Sequence, residues 1–469
     1  MKSDRTMNER RTPCRGYIYP LPSPMGDGET SCEQGGPMKK RIPPYLWHIG
    51  LFVATLWALW LLLVCAAAIP NGAIRANMER SALSYADRDP FAFTAGGKWN
   101  AVQDNYADAI LLNVTWNMGV GNPLTATLDT GYHDGGNLGE NAGLYLAVTQ
   151  GAAPNTDYTR YWHGSALILR PLLLLIDAEG IKLLGLGEIL ALAAVTLALL
   201  LRRGHPELGL ALALSLAAVG VWDLRLSLEY QPMFLLCFLL CPLYLLLERR
   251  GDRVLTLLSV AGGAAAAFFD FLTTETVTIV LPLLLLVAVR TKEGRLGGFR
   301  KGLGLSLRCG GSWLAAYGGA FLVKWTAATL ATGENKFAAA LASVAERVGV
   351  APALGDEAPA TVFSAVAANL TALFGGTARA EPGRVALGLA LTALILGSVY
   401  YLFRAKKKRR EGALLLLLLG GVVFARFLVL NNHSYLHAFF TYRALICPIF
   451  ALLAALFLNV AAPWRKGAG

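Results

Sequence analysis

Two aspartates stand four residues apart, just before an apolar run. Asp104 and Asp108 lie on either side of Tyr106 in the segment DNYADAILLN, residues 104–113. Side chains at this spacing share one face of a helix, so we predict an amphipathic helix that presents both carboxylates. A carboxylate within hydrogen-bond reach of a hydroxyl group can remove its proton. Asp104 and Asp108 are therefore our candidate catalytic residues; a solvated polar face is the alternative explanation of the same spacing.

A second polar cluster, NNHSYLHAFFTYR at residues 431–443, interrupts two apolar stretches. His433 and His437 have the spacing of two zinc ligands in an H-E-x-x-H helix, but Ser434 stands where that motif has its glutamate. No other Cys and His residues offer obvious further ligands, so we predict no metal site. Arg443 is followed at once by an apolar run, where an unpaired cation is costly. We predict that these two histidines and Arg443 bind an anionic group. The alternatives are a hydrogen-bonded histidine pair at the membrane interface and a structural ion pair of Arg443.

Three more side chains of this kind lie at the ends of apolar segments. Arg160 and His163 belong to TRYWHG, and Lys324 belongs to the pair KW. The neighbouring aromatic rings suit a membrane interface, and a lysine there can extend its amine to water. An aromatic belt does not account for Arg160 or His163. We predict all three as substrate-binding residues.

The composition indicates a membrane protein. The chain has 469 residues, of which 55% are hydrophobic and only 16% are charged, and its mean hydropathy is +0.48. A soluble protein carries about 25% charged residues. Apolar runs of about 20 residues recur along the chain, as expected of helices that cross a lipid bilayer. The net charge of +11 comes largely from basic residues between apolar segments. We interpret it as a topology signal and predict no nucleic-acid partner.

Hydropathy predicts an all-α integral membrane protein with about ten transmembrane helices. The first covers residues 45–69, and the others cover approximately 180–201, 207–223, 232–247, 254–269, 276–290, 303–323, 384–403, 413–430 and 441–461. Basic residues cluster in short segments between them, at 201–205, 248–253, 290–302 and 404–412. Short basic segments face the cytoplasm, so we place them there together with both chain termini, in a multi-pass protein of the cell membrane.

This topology divides the chain into a mobile basic cytoplasmic tail, residues 1–42, and a polytopic membrane domain, residues 43–469. Two long loops then lie outside, at residues 70–165 and 325–382, and we expect interfacial helices in the first. Polar residues collect at the outer ends of the spans, in segments 104–113, 159–177, 222–231, 268–276, 324–325 and 431–443. The inner ends carry mostly Arg and Lys. The chemically mixed outer side is therefore where we expect a site.

This distribution resembles the GT-C superfamily of integral-membrane glycosyltransferases. The matching features are the first span, the long loop that follows it with Asp104 and Asp108, and the basic and aromatic groups at later outer ends. The resemblance implies transfer of a sugar from a polyprenyl-phosphate donor to a cell-envelope acceptor, with an acidic residue as base and cations at the lipid phosphate. It implies no obligatory cofactor, since a divalent metal is optional or absent in many members. Several of the quoted segments are also similar to an uncharacterised family of bacterial multi-pass proteins, which implies no function.

The resemblance leaves the identity of the catalytic acid open. Many GT-C enzymes have a compact acidic pair close to the end of the first span. Asp87 and Asp89, in YADRDP, are nearer to that point than Asp104 and Asp108. Two other classes also fit intramembrane charges and lipid-linked substrates: a transporter or lipid flippase, and a polymerase or ligase of surface polysaccharide.

Overall fold

The computed structural model describes residues 43–94, 98–349, 361–376 and 382–458. The predicted tail, residues 1–42, lies outside the described residues, as do residues 350–360 and 377–381 of the predicted second outer loop.

The described chain is mostly helical. Its helices are α1 (Pro44–Ala67), α2 (Asn71–Ala86), α3 (Asn105–Asn117), α4 (Pro123–Ala126), α5 (Gly139–Gln150), α6 (Ser165–Leu172), α7 (Ala178–Arg202), α8 (Pro206–Ala218), α9 (Gln231–Leu247), α10 (Asp252–Phe269), α11 (Val277–Lys292), α12 (Phe299–Thr332), α13 (Lys336–Arg347), α14 (Val362–Leu373), α15 (Pro382–Arg404), α16 (Lys407–Val429), α17 (Asn431–Leu436), α18 (Ala438–Thr441) and α19 (Ile446–Phe457). Short strands form two antiparallel pairs, β1 (Phe91–Phe93) with β2 (Val102–Asp104) and β3 (Gly131–Tyr132) with β4 (Thr156–Asp157).

Six helices in the described part of the chain are long and apolar enough to cross a membrane. They are Tyr45–Ala67, Ala178–Arg202, Gln231–Arg250, Asp252–Phe269, Arg409–Val429 and Ala438–Phe457. Large apolar side chains of α1 and α7, such as Trp57 and Leu190, are exposed, as expected of surfaces that face lipid. The structure therefore confirms a helical membrane protein. Helices occupy all ten predicted span positions, but α8 and α11 have only 13 and 16 residues, and the number of ten spans stays a prediction.

Contacts among the basic segments define one end of the helix bundle, which we call the basic end. Glu248 accepts hydrogen bonds from Arg203, from Arg290 at 3.2 Å and from Arg295 at 2.7 Å. The Glu411 carboxylate accepts from the Phe299 backbone N–H at 3.2 Å. The four basic segments of the sequence thus meet at one end. The 17-residue helix α9 runs about 25 Å from there to the segment before Gln231.

Close contact between α10 and α12 depends on a glycine. A Cβ on Gly263 would lie 2.2 Å from the carbonyl oxygen of Trp313, so only a residue without a side chain fits there. Small residues let helices in membranes approach closely. The Trp313 indole, at the same crossing, donates to the Thr278 hydroxyl at 3.1 Å and thereby ties α12 to α11.

The first long loop folds on its own core and attaches to α1. Ile74 and Tyr85 of α2, Leu112 of α3 and Leu144 of α5 are buried together. The fully buried Arg170 of α6 donates to Ala66 O at 2.9 Å and Thr115 O at 2.7 Å, and also bonds Ile69 O. A cation suits these free carbonyls at the carboxyl ends of α1 and α3. In the β1–β2 pair, Phe91 lies opposite Asp104.

Candidate functional site

The segments that connect the helices at the end opposite the basic end enclose a cavity of about 550 Å³, which we call the central cavity. Five of the six polar segments singled out in the sequence contribute to its lining, and α13 contributes as well. The lining residues are Phe91, Asp104, Tyr106, Ala107, Ile110, Leu111, Tyr132, Tyr158, Arg160, Tyr161, His163, Glu229, Phe271, Glu346, Arg347, His433, Leu436, His437 and Phe440. Ligand pockets usually have volumes of about 300–1,000 Å³.

Five of the eight predicted site residues line this cavity, although they lie far apart in the sequence. They are Asp104, Arg160, His163, His433 and His437. Asp108, Lys324 and Arg443 do not line it, and neither do the alternative acids Asp87 and Asp89, which are both exposed. The structure therefore separates Asp104 from the other acidic candidates by position.

Asp104 is a buried carboxylate at the start of α3. It caps the helix, because its Oδ1 accepts the Ala107 backbone N–H at 2.9 Å. Burial raises its pKa from 3.8 to about 7; the Ala107 hydrogen bond lowers it and the Asp108 carboxylate raises it further. A carboxylate that titrates near neutral pH is well matched to general-base catalysis.

Asp104 does not share a helix face with Asp108, so the expectation from the spacing of four residues is wrong. Asp104 precedes the first helical residue and has φ −89° and ψ 78°, so its side chain does not follow the helical repeat. Asp108 lies inside α3 and accepts hydrogen bonds from Tyr85 OH, Ser227 OH and the Leu228 N–H, each at 2.7 Å. Lys182 Nζ of α7 lies 3.5 Å from Asp108 Oδ2 and donates to the Tyr85 hydroxyl at 3.1 Å.

A second carboxylate, Glu229, was missed in the sequence. It lies between two apolar helices, in the predicted outer segment 222–231, and lines the central cavity with Asp104. Burial raises the pKa of Glu229 well above its usual value, and the Asp104 carboxylate raises it further. An acidic residue two positions before an apolar helix is the signal that could have identified it.

Two arginines give the cavity its positive charge. The Arg160 guanidinium lies 4.3 Å from the Tyr158 ring centroid, and Arg347 Nη1 donates to Ser343 O at 2.9 Å. The Nε atoms of both arginines are buried without a hydrogen-bond partner. Among the described residues, no carboxylate lies within 4.0 Å of either guanidinium. Arg347 ends an amphipathic helix, where the sequence suggests only a favourable interaction with the helix dipole.

Three neutral imidazoles complete the polar lining. Burial lowers the pKa of His163 to about 3 and that of His437 to about 4, and it holds the pKa of His433 well below its usual value. The Nε2 atoms of His163 and His433 each face a backbone carbonyl, Tyr158 O at 2.7 Å and Leu272 O at 2.8 Å. The rings of His433 and His437 are 4.5 Å apart, as their spacing on a helix predicts.

Backbone strain concentrates at the same place. Among the described residues other than glycine, only His163 and Leu272 have positive φ, 54° and 64°. Leu272 is held in this conformation by its carbonyl, which accepts from His433 and from Arg426 at 2.5 Å. Arg426 in turn pairs with Glu275 at 3.1 Å. Such strain costs about 1–3 kcal/mol per residue and collects at functional sites.

Lys324 and Arg443 lie outside the cavity lining and bond backbone carbonyls, although the Nε atom of Arg443 is buried without a hydrogen-bond partner. Lys324 Nζ donates to Thr127 O and Leu128 O, both at 2.9 Å, which fixes the first long loop to α12. Arg443 lies over the Tyr230 ring at 4.6 Å and donates to Phe439 O at 3.2 Å. Carbonyls that irregular backbone leaves free thus take the place of an anionic partner for part of each cation, and anion binding by Lys324 and Arg443 stays a prediction.

An apolar groove of about 190 Å³ adjoins the central cavity; we call it the α12 groove. Its walls come mainly from α12 and α13, and it shares Arg160, Tyr161 and Arg347 with the cavity. Tyr317, Phe321 and Trp325, which repeat every four residues along α12, line it. The Trp325 indole also donates to Arg160 O at 3.0 Å, which fixes the backbone of this arginine where the groove meets the central cavity.

Among the residues that the structure describes, no three His, Cys, Asp or Glu side chains converge on a point that could hold a metal ion. Comparison of the chain with protein-family models, with curated proteins and with solved structures gives no match.

Proposed function

We propose that the protein is a membrane glycosyltransferase that moves a sugar from a polyprenyl-phosphate donor to a hydroxyl group of a cell-envelope acceptor. The observation that carries this proposal is the combination of three chemistries at one point. Asp104 supplies a carboxylate that titrates near pH 7, Arg160 and Arg347 supply cations without ion-pair partners, and the α12 groove supplies an apolar channel that begins at those cations.

Each feature matches one part of such a donor. The two guanidinium groups suit a phosphate, because their planar N–H groups match its oxygen atoms. The α12 groove suits a hydrocarbon chain attached to that phosphate. The central cavity, with its aromatic rings, carboxylates and neutral histidines, suits a polyhydroxylated ring.

The reaction then needs one proton transfer and one exchange of bonds at carbon. Asp104 takes the proton of the acceptor hydroxyl as the acceptor oxygen attacks the anomeric carbon. The bond from that carbon to the phosphate oxygen breaks, and the electron pair leaves with the polyprenyl phosphate. The phosphate gains one negative charge in this step, which Arg160 and Arg347 stabilise. No step is assigned to a metal or another cofactor.

The position of the cavity supports an enzyme that works at the membrane surface. The positive-inside rule predicts that the basic end faces the cytoplasm, and the central cavity would then lie at the outer leaflet. Transporters commonly bind their substrates near the middle of the bilayer, between broken helices. The central cavity is instead lined by segments that connect helices at one end of the bundle.

Thermal stabilisation by polyprenyl phosphate, compared with polyprenol and inorganic phosphate, tests donor binding. We expect polyprenyl phosphate to raise the melting temperature most, because it alone has both the phosphate and the hydrocarbon chain. Arg160→Gln and Arg347→Gln should each reduce this shift. Arg300→Gln, which removes an exposed arginine at the basic end, is the control.

Transfer itself is measured with a panel of polyprenyl-phosphate sugars, by following the release of polyprenyl phosphate. Wild-type protein should release it from at least one donor in the presence of envelope glycan, and Asp104→Asn should not. Equal stabilisation by polyprenol and polyprenyl phosphate, or an unchanged shift in both arginine variants, would contradict the donor assignment.

A further inference from the structure

Asp104 ends a short segment, residues 99–104, that is hydrogen-bonded to the buried cation of Arg443. Residues Trp99–Ala101 form a 3-10 turn, and β2 follows immediately and ends at Asp104. The carbonyl of Asn100 in this turn accepts hydrogen bonds from Arg443 Nη2 and from Tyr442 OH, both at 3.3 Å.

The buried Arg443 guanidinium lies close to two aromatic rings. Arg443 is 1% exposed, and its guanidinium lies 4.6 Å from the Tyr230 ring centroid and 4.9 Å from that of Tyr442. Tyr230 reaches the same segment, because its hydroxyl donates to Val102 O at 3.2 Å. The cation therefore contacts Asn100 directly and β2 through Tyr230.

Aromatic packing attaches β1, the strand paired with β2, to Phe439, which is also bonded to Arg443. The Phe439 ring lies 5.7 Å from Phe91 and 6.2 Å from Trp99, and the Phe439 carbonyl accepts the second hydrogen bond from Arg443. Phe91 is the residue opposite Asp104 in the β1–β2 pair. Phe91 of β1 and the 3-10 turn before β2 thus both contact residues 439–443, which include Arg443.

We infer that Arg443 is a positioning residue for Asp104: it fixes residues 99–104 against the helix bundle and so holds the carboxylate at the cavity wall. Its cation does not contact the ligand. The inference rests on the proposed function for its effect on rate, but its effect on residues 99–104 is independent of any activity.

The test compares three variants by hydrogen–deuterium exchange of the purified protein. Arg443→Gln should raise the exchange of the amides in residues 99–104 by about tenfold, the effect of one charge-assisted hydrogen bond. Tyr442→Phe removes a hydroxyl that lies 3.1 Å from Val219 O and 3.3 Å from Asn100 O, and it should raise this exchange less. Arg426→Gln is the control, because this buried arginine bonds Glu275, Ser434 and the carbonyls of Leu272 and Thr273, none of which belongs to residues 99–104.

Kinetics and ligand binding separate positioning from substrate binding. Arg443→Gln should lower kcat by about tenfold with KM unchanged, and polyprenyl phosphate should stabilise it as much as the wild type. Lost stabilisation, or a raised KM with unchanged exchange, would overturn the inference and make Arg443 a ligand contact. Unchanged exchange in Arg443→Gln would also overturn it. If that variant fails to fold, Arg443→Lys, which keeps a cation but loses the planar N–H groups that reach Asn100 O, takes its place in the same exchange measurement. A wild type without transfer activity would remove the proposed function and leave the exchange result to decide the positioning role.

Discussion

Replacing Asp104 by Asn should abolish transfer and, at neutral and alkaline pH, stabilise the protein. The folded state raises the pKa of Asp104 from 3.8 to about 7 through burial. As the pH rises, the unfolded chain therefore loses this proton before the folded protein does. The free energy of unfolding falls through this interval, because the unfolded chain is stabilised by ionising in water while the buried carboxyl group stays protonated.

The size of the effect follows from the shift. One pH unit between the two pKa values costs about 1.4 kcal/mol, so the interval from 3.8 to about 7 corresponds to about 4 kcal/mol in total. Asn cannot ionise, and its side-chain oxygen can still cap α3 at the Ala107 N–H. The variant and the wild type should thus be equally stable near pH 4, and the variant should be more stable by up to about 4 kcal/mol above pH 7.

Activity should show the opposite effect. Wild-type transfer should rise with pH through about 7, as Asp104 loses its proton, and Asp104→Asn should lower it by about 10²–10⁴-fold. Unfolding in detergent between pH 4.5 and 8 measures the stability arm. Asp89→Asn, at an exposed carboxylate outside the cavity, is the control for both arms. A stability difference that does not grow with pH would refute the burial argument. Retained transfer in Asp104→Asn together with its loss in Asp89→Asn would show that Asp104 is the wrong acid.

Two further predictions concern the membrane topology and the packing of the bundle. A cysteine placed at the exposed Asn137 should react with an impermeant reagent added to intact cells, and one at the exposed Lys407 should not; the reverse labelling would place the cavity on the cytoplasmic side. Gly263→Ala should destabilise the protein by about 1–3 kcal/mol, because its Cβ would lie 2.2 Å from Trp313 O. Gly310→Ala, where nothing lies within 4 Å, should be neutral in the same unfolding assay.

The coarse arrangement of the site could be predicted from the sequence because charge distribution encodes it. Helices that alternate in direction bring every second connection to the same end of a bundle. The basic segments mark one set of connections, and the polar segments must therefore meet at the other end. Asp104 and His433, more than 300 residues apart, line one cavity for this reason.

The roles of individual charged residues could not be predicted, because they depend on where regular backbone stops. Asp104 and Asp108 differ because α3 begins between them, at Asn105. The Nη atoms of Arg443 donate to the Asn100 and Phe439 carbonyls, which no local pattern assigns to an arginine. Glu229 and Arg347 become candidate site residues only because the fold brings them to the central cavity.

The protonation states of Asp104 and Glu229 limit how far these two carboxylates cancel the positive charge in the cavity. Burial favours the neutral forms of Asp104 and Glu229, so near neutral pH these groups only partly offset the charge of Arg160 and Arg347. The arginines thus remain available to an anion. An anion bound at the arginines would in turn raise the pKa of Asp104, since like charges oppose ionisation. In the proposed reaction this coupling favours retention of the acceptor proton on Asp104 while the second phosphate charge develops. The base and the cations therefore act on one another through the charge of the leaving group.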